Sequence, residues 1–514
     1  MASISDAGQP VSGRPGGGFQ RVVAAFLNQP GLPFASVLSA ERVARVFAKH
    51  KNLFARNGVY STANVLWAFL GQVLRDGKEA ACQAAVAAIT AQRLADGLST
   101  PTADTGDYCK ARAKLSEVAL RELTVEIADE LEERADPKWL WKGRLHAKLV
   151  DGFTFTMPDT PENQAEYPQS RSQKPGVGLP IARAMALLSL STAAVLDVAV
   201  GPYSGKETGE TALLRSRLDS FSPGDLAVFD RYFCSFFLLA MLLGRGVQSC
   251  TRMHQKRHVD FRRGRRLGPR DHLVVWTRPQ RPQWMDQATY DAIPETMKLR
   301  ELRFHVSQPG RRTTEITIVT TLTDATVYTK EDLAELYGFR WNAELDIRSI
   351  KQNLNLNHVR CKSPEMVRRE LWTTLLAYNL VRTTAAVAAL LHDKRPRQIS
   401  FTGTCQYILA SWTDMARGRI APENITAHCL TLLSQIAECE VANRPGRIEP
   451  RALKRRRHGD KLMQQPRHVL KKQLGSGNAK TYKPLPERQC HSGQVQHCSA
   501  LGLLRVKIVA VAVE

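Results

Sequence analysis

The chain has no apolar run approaching the roughly 20 residues that a membrane-spanning helix needs. Its longest candidate, residues 236–243, is too short, and residues 501–513 are interrupted by Arg505 and Lys507. No membrane is expected among its partners. The N-terminus is polar and rich in Gly and Pro, without the basic and apolar pattern of a secretory leader. CxxC pairs are missing as well, because the ten cysteines are scattered. That argues against a zinc ribbon or a disulfide framework and fits free thiols in a reducing interior. Cys490-His491 and His497-Cys498 carry little weight as metal ligands.

Acidic residues are the other shortage. Against 72 Lys and Arg stand 49 Asp and Glu, a formal net charge of +23. A surplus of that size points to a polyanionic partner, nucleic acid before membrane. The apolar share of 43% and charged share of 24% are those of a globular protein. A length of 514 residues leaves room for about three domains.

Residues 1–20 read as disordered. From 21 to 140 the pattern is helical, notably Val43-Ala-Arg-Val-Phe, Ala63-Asn-Val-Leu-Trp-Ala-Phe-Leu, the Ala-rich run 79–95 and residues 116–134. With Arg93, Lys110, Arg112 and Lys114, this block is a DNA-binding or dimer-contact domain, or a plain helical cap. At Arg144 the pattern turns to alternation. Residues 145–157 read as a strand with Asp151 in register with Leu149, Phe153 and Phe155. An acid on such a face is costly to bury unpaired. Two apolar runs, 182–190 and 193–200, read as adjacent strands. Thr208-Gly-Glu-Thr opens a helix over 209–219. Leu226-Ala-Val-Phe-Asp230 looks like a buried central strand that delivers a carboxylate at its end, or one whose Asp230 caps the next helix.

Residues 246–328 read as a β-rich insertion, with strands over 272–277, 298–306 and 315–322. Arg252 to Arg270 carries eight Lys/Arg and one Asp, a stretch suited to phosphate contact. Thr329 caps a helix with Asp332 three residues on. Residues 371–391 are a strongly apolar helix suited to core packing. Arg444 to Lys472 forms a basic block within a C-terminal region, 436–514, whose last forty residues are weakly patterned.

Tyr337, Arg340, Glu344 and Lys351 stand at offsets that, at roughly 100° per residue, fall within an arc of about 60° on one helical face. A phenol, a guanidinium, a carboxylate and an ammonium thus share a surface. The bland alternative is a solvated helix laced with ion pairs. A carboxylate among cations is a poor general base and a good ligand for a divalent metal that also meets phosphate oxygens. Asp151, Asp230 and Glu344, without a Cys/His cluster, suit Mg²⁺ or Mn²⁺ rather than zinc. Two such ions, roughly 3.5–4 Å apart, drive phosphodiester displacement. Other acids fail on geometry. Asp346 faces about 200° away from Glu344 on its helix, Asp225 lies at the wrong end of its strand, and Asp159 lies in a Pro-rich loop.

The spacing Tyr-x2-Arg-x3-Glu-x6-Lys, with Asp151-Gly and Asp230-Arg-Tyr-Phe, resembles the DDE insertion-sequence transposases of the IS-four group. The resemblance covers about 140–475, including the Ala377-Tyr-Asn-Leu helix and the Glu449-Pro-Arg…Lys454-Arg-Arg tail. It implies an α/β protein with an RNase H-like catalytic core (141–245 and 329–435) interrupted by the β-rich insertion. It implies cut-and-paste transfer at terminal inverted repeats in double-stranded DNA, through a homodimeric synaptic complex and hairpinned ends, in the cytoplasm of a bacterium and on its nucleoid when DNA is bound. Asp151, Asp230 and Glu344 are then the catalytic ligands of two Mg²⁺ or Mn²⁺ ions. Tyr337, Arg340 and Lys351 hold phosphates, and Arg348 is a further DNA contact. One departure concerns the tryptophan that members of the group place in the last insert strand to stack a flipped base. Here that strand carries Ile316 and Ile318. Trp276 and Trp284 lie elsewhere in the insertion, as candidates for stacking on DNA or simply for packing. A nuclease on the same core, or a non-catalytic DNA-binding derivative, are the alternative classes.

Overall fold

The computed structural model describes residues 37–55, 58–95, 97–306, 314–416, 422–442 and 465–475. Residues 1–20, the Glu449…Lys454 tail and the Cys490/His491 and His497/Cys498 pairs lie outside these. The helix Arg467–Gly475 forms part of a separate small unit.

Among the described residues, nine strands make one sheet. They are β1 (Ala147–Thr156), β2 (Ile181–Ser189), β3 (Val195–Pro202), β4 (Leu226–Phe229), β5 (Gln248–Arg252), β6 (Arg265–Gly268), β7 (Asp271–Thr277), β8 (Thr296–Val306) and β9 (Thr314–Thr320). Their order is β3-β2-β1-β4-β5-β9-β8-β7-β6. β1 runs antiparallel to β2 and parallel to β4, which is itself parallel to β5. From β5 outward every pairing is antiparallel. The insertion is therefore no separate β module. Its strands continue the sheet, and β5, inside the expected insertion boundary, hydrogen-bonds to β4 along one side and β9 along the other.

β1 is buried along its first half and alternates thereafter. Leu149, Phe153 and Phe155 join one core; Val150 joins the other, with Met185, Leu187 and Phe229. Both faces are covered, which is why β4 reads as an unbroken apolar run. The first core includes the helices Thr62–Val73, Glu117–Glu133 and Pro364–Leu391, the second the helix Phe236–Leu243. Ser61, Ser116 and Ser235 cap three of these helices by accepting from backbone N–H groups. At the base of the parallel pair, Lys148 and Asp225 form a buried ion pair at 2.7 Å. Asp225 therefore has a structural partner at the end of β4 remote from Asp230.

The helix Pro364–Leu391 is long and apolar enough to cross a membrane, contrary to the expectation that no segment comes near that length; 83% of its apolar window is buried inside the fold. It is a core helix with built-in polar contacts. Asn379 accepts from the Val195 amide at 2.8 Å and donates to the carbonyls of Val195 and Thr124. The Tyr378 hydroxyl donates to the Ala193 carbonyl at 3.0 Å. The Ala-Tyr-Asn-Leu stretch thus clamps the β2–β3 turn and satisfies backbone groups at the edge strand β3.

Candidate active site

The helix expected over Tyr337 to Lys351 is two helices, Lys330–Gly338 and Trp341–Asn353. The first begins with the expected capping box, Thr329 with Asp332. Phe339 and Arg340 form the joint and keep near-helical dihedrals, so the shared face is kept mainly on the second helix. There Ala343, Ile347 and Ile350 are buried in the core. Glu344, Arg348 and Lys351 line a cleft of about 480 Å³ with Asp151, Gln352 and Asn357. Asp346 faces away as expected: it is 2% exposed and holds Arg397 at 2.8 Å and Arg382 at 3.3 Å.

Asp151 sits on β1 one residue past the last pairing with β4, which joins Val150 to Phe229. Asp230 follows Phe229 in extended conformation. The two acids therefore stand at the same level of neighbouring parallel strands, on the face opposite Val150 and Phe229. Asp230 accepts from the Tyr232 amide at 2.7 Å, so it also caps the turn Arg231–Phe233. The Thr251 hydroxyl donates to the Asp230 carbonyl at 2.8 Å and ties the backbone there to β5. Asp230 is not among the residues lining the cleft itself.

Arg340 links the other two acids. Its guanidinium lies 2.7 Å from Glu344 Oε1 and 3.6 Å from Asp151 Oδ2. Asp151 also accepts from the Gly152 amide at 2.9 Å. Burial pushes the Asp151 carboxyl up to about 6, Arg340 and the Gly152 amide pull against it, and Glu344 and Glu210 push the same way as burial. Burial lowers the Lys351 ammonium from its ordinary value, and no carboxylate pairs with it among the described residues. Tyr337 is 8% exposed and packs into the core, leaving little of its ring for a phosphate to meet.

The two tryptophans offered for base stacking or packing make contacts within the protein. Trp276 on β7 is buried, donates to Glu301 Oε1 at 2.8 Å and carries the Arg257 guanidinium 3.8 Å over its ring. Trp284 packs edge-on against Phe237, with Arg215 3.7 Å over its ring. Both rings are already engaged within the protein.

Sequence reasoning missed Glu210, the first residue of the helix Glu210–Arg215, which lines the cleft beside Asp151. Burial raises its carboxyl above the ordinary range, Arg183 opposes the rise and Asp230 adds to it. The only sequence signal was the Gly-Glu-Thr that opens the helix.

Among the described residues, no three His, Cys, Asp or Glu side chains are drawn together into a ready metal cage. The donor set nevertheless fits a hard divalent cation. It is all carboxylate oxygen: Asp151 and Glu344 on the cleft wall, with Asp230 beside Asp151 on the neighbouring strand.

The family model for the transposase DDE domain matches residues 145–380, from the start of β1 into the long core helix. The transposase InsG for insertion sequence element IS4 of Escherichia coli (strain K12) is 27% identical over 438 residues, 84% of this chain and 93% of that one. Among solved structures, a piggyBac transposase synaptic complex with hairpin DNA aligns over 90% of each chain, at 11% identity and a TM-score of 0.39. The matched domain holds Asp151, Asp230, Glu344 and the sheet that carries them, and together these likenesses support a DDE transposase of the IS4 kind.

Proposed function

We propose that this transposase cuts and joins double-stranded DNA at the terminal inverted repeats of its insertion sequence, with Asp151, Asp230 and Glu344 holding two Mg²⁺ or Mn²⁺ ions. The observation that carries this reading is the placement of Asp151 and Asp230 side by side on β1 and β4, with Arg340 joining Asp151 to Glu344. The strand order β3-β2-β1-β4-β5, antiparallel then parallel, supports an RNase H-like core, with β6–β9 as its insertion. Bound there, the ions supply activation of a water or 3′-hydroxyl and stabilisation of the leaving oxygen.

The protein's own groups bind and orient. Arg340 fixes the rotamer of Glu344 and offers its remaining N–H groups to a phosphate. Lys351 and Arg348, on the same cleft wall, take phosphates further along the strand. Tyr337, buried in the core one turn before Arg340, reaches the DNA with no more than its edge. The Asp151 carboxylate is kept close to the strand backbone by the Gly152 amide. The basic stretch from Arg252 to Arg270 lends backbone contact at the far end of the sheet. A homodimeric synaptic complex is the arrangement that the likeness to DDE transposases implies.

The test uses labelled transposon-end duplexes with Mg²⁺. Wild type should give strand-transfer products, and nicking without joining marks a nuclease. Asp151→Asn, Asp230→Asn and Glu344→Gln should each reduce cleavage to background while retarding the duplex on a gel as wild type does. Undiminished cleavage by any of the three removes that acid from the assignment.

A further inference from the structure

Glu210 stands in the cleft without a hydrogen bond or ion pair among the described residues. It is half-buried, and its charged surroundings include Asp151 and Asp230. The nearest influential cation is Arg183 on β2, but that guanidinium donates to the Thr208 carbonyl at 3.2 Å and stacks 4.7 Å from the Tyr203 ring. A partly desolvated acid among acids calls for a counter-charge that the described residues do not supply.

Its position is built, through the residue after Asp151. A Cβ at Gly152 would lie 2.2 Å from Glu210 Cδ and 2.3 Å from its Oε1. Gly152 is not among the residues of positive φ. Backbone conformation does not ask for glycine there, and the missing side chain is used for space. The Asp151-Gly152 pair therefore places one carboxylate and admits another.

We infer that Glu210 is a fourth carboxylate of the divalent-cation site, holding, directly or through a water, an ion that Asp151 also holds. This rests on the assignment of Asp151 as an ion ligand. An all-oxygen set of this kind suits Mg²⁺ or Mn²⁺, and Mg²⁺ keeps several of its waters, so a carboxylate one water away still orients the ion.

Mn²⁺ titration of the full-length protein tests the inference without catalysis, by calorimetry and by loss of the free-ion paramagnetic resonance signal. Glu210→Gln should weaken Mn²⁺ binding about tenfold or more, and Glu210→Asp should recover part of the loss. Gly152→Ala should reproduce the loss with Glu210 intact, because the new methyl takes the space the carboxylate occupies. Unfolding midpoints near wild type should accompany all three, and Asp151→Asn should abolish the binding. If Glu210→Gln and Gly152→Ala bind Mn²⁺ like wild type while Asp151→Asn does not, Glu210 is a solvated helix-start acid and the inference is overturned. If Asp151→Asn also binds like wild type, the assignment of Asp151 fails and takes the role of Glu210 with it.

Discussion

Asp151→Asn should stabilise the metal-free protein while destroying its chemistry. The wild-type carboxyl is pushed by burial up to about 6 from 3.8, even with Arg340 beside it. A gap of about two units costs roughly 3 kcal/mol of folding free energy once the group is ionised. The side chain is 20% exposed, so solvent screens little of that. Asparagine keeps the shape and still accepts from the Gly152 amide, but it forfeits attraction to Arg340. We expect a net gain of about 1–2 kcal/mol, which for a cooperative unit of this size raises the midpoint by about 1–3 °C. The sign follows from the direction of the shift. The folded value lies above the unfolded one, so the group destabilises the native state once the unfolded acid ionises, and fully so above the folded value. The gain should approach its full size above about pH 7 and vanish below about pH 3, where both states are protonated. Thermal unfolding in chelator across that range measures it. With Mn²⁺ added the order should reverse, because only wild type gains from the ion. A midpoint lowered by Asp151→Asn near pH 7.5 in chelator, or a gain that persists undiminished below about pH 3, refutes the reasoning.

Other substitutions separate support from chemistry. Asp346→Asn leaves the buried guanidinium of Arg382 and the half-buried one of Arg397 without their carboxylate and should cost roughly 3–5 kcal/mol in urea unfolding; a wild-type midpoint would show that Asp346 does not hold the helices together. His146 is raised by its hydrogen bond to Glu132 at 2.9 Å. That pair's imidazolium contribution is whole below about pH 6.5 and fades as pH climbs through the folded value. Glu132→Gln should remove this alkaline loss from the urea midpoint; an unchanged pH profile would deny the coupling. Lys351→Ala and Arg348→Ala should each flatten the slope of log affinity against log salt by about 0.9 for every phosphate the side chain neutralises, and an unaltered slope would take that residue off the DNA.

What was legible in the sequence was carried by local period. β1 to β4 announced themselves by alternation or by short unbroken apolar runs, and the Tyr-Arg-Glu-Lys spacing marked the cleft wall. β5 was not separated from the insertion because Gln-Ser-Cys-Thr-Arg has no apolar pattern; Ser249, Cys250 and Thr251 are buried by neighbours contributed from elsewhere. The helix Gly106–Ala113 lies inside the block read as helical but had no separate signal, because only Tyr108 and Ala111 are buried. β6 was hidden in its arginines. The joint at Phe339–Arg340 leaves no residue signature, since both keep near-helical dihedrals. Glu210 was invisible for a different reason: its tie to Asp151 runs through a missing Cβ at Gly152, which has meaning only when β1 and the helix after β3 are seen together.

β5 bonds along both of its sides, to β4 at Leu226–Phe229 and to β9 at Ile318–Thr320. Excising the residues after β5 through the end of β9 would therefore not be loop trimming. It would strip an interior strand of half its partners and turn the backbone next to Asp230 into an open edge, ready to recruit a foreign strand. Asp151, Asp230 and the arginine-rich outer hairpin are fastened to one plank, and shortening it loosens the board on which Asp230 stands.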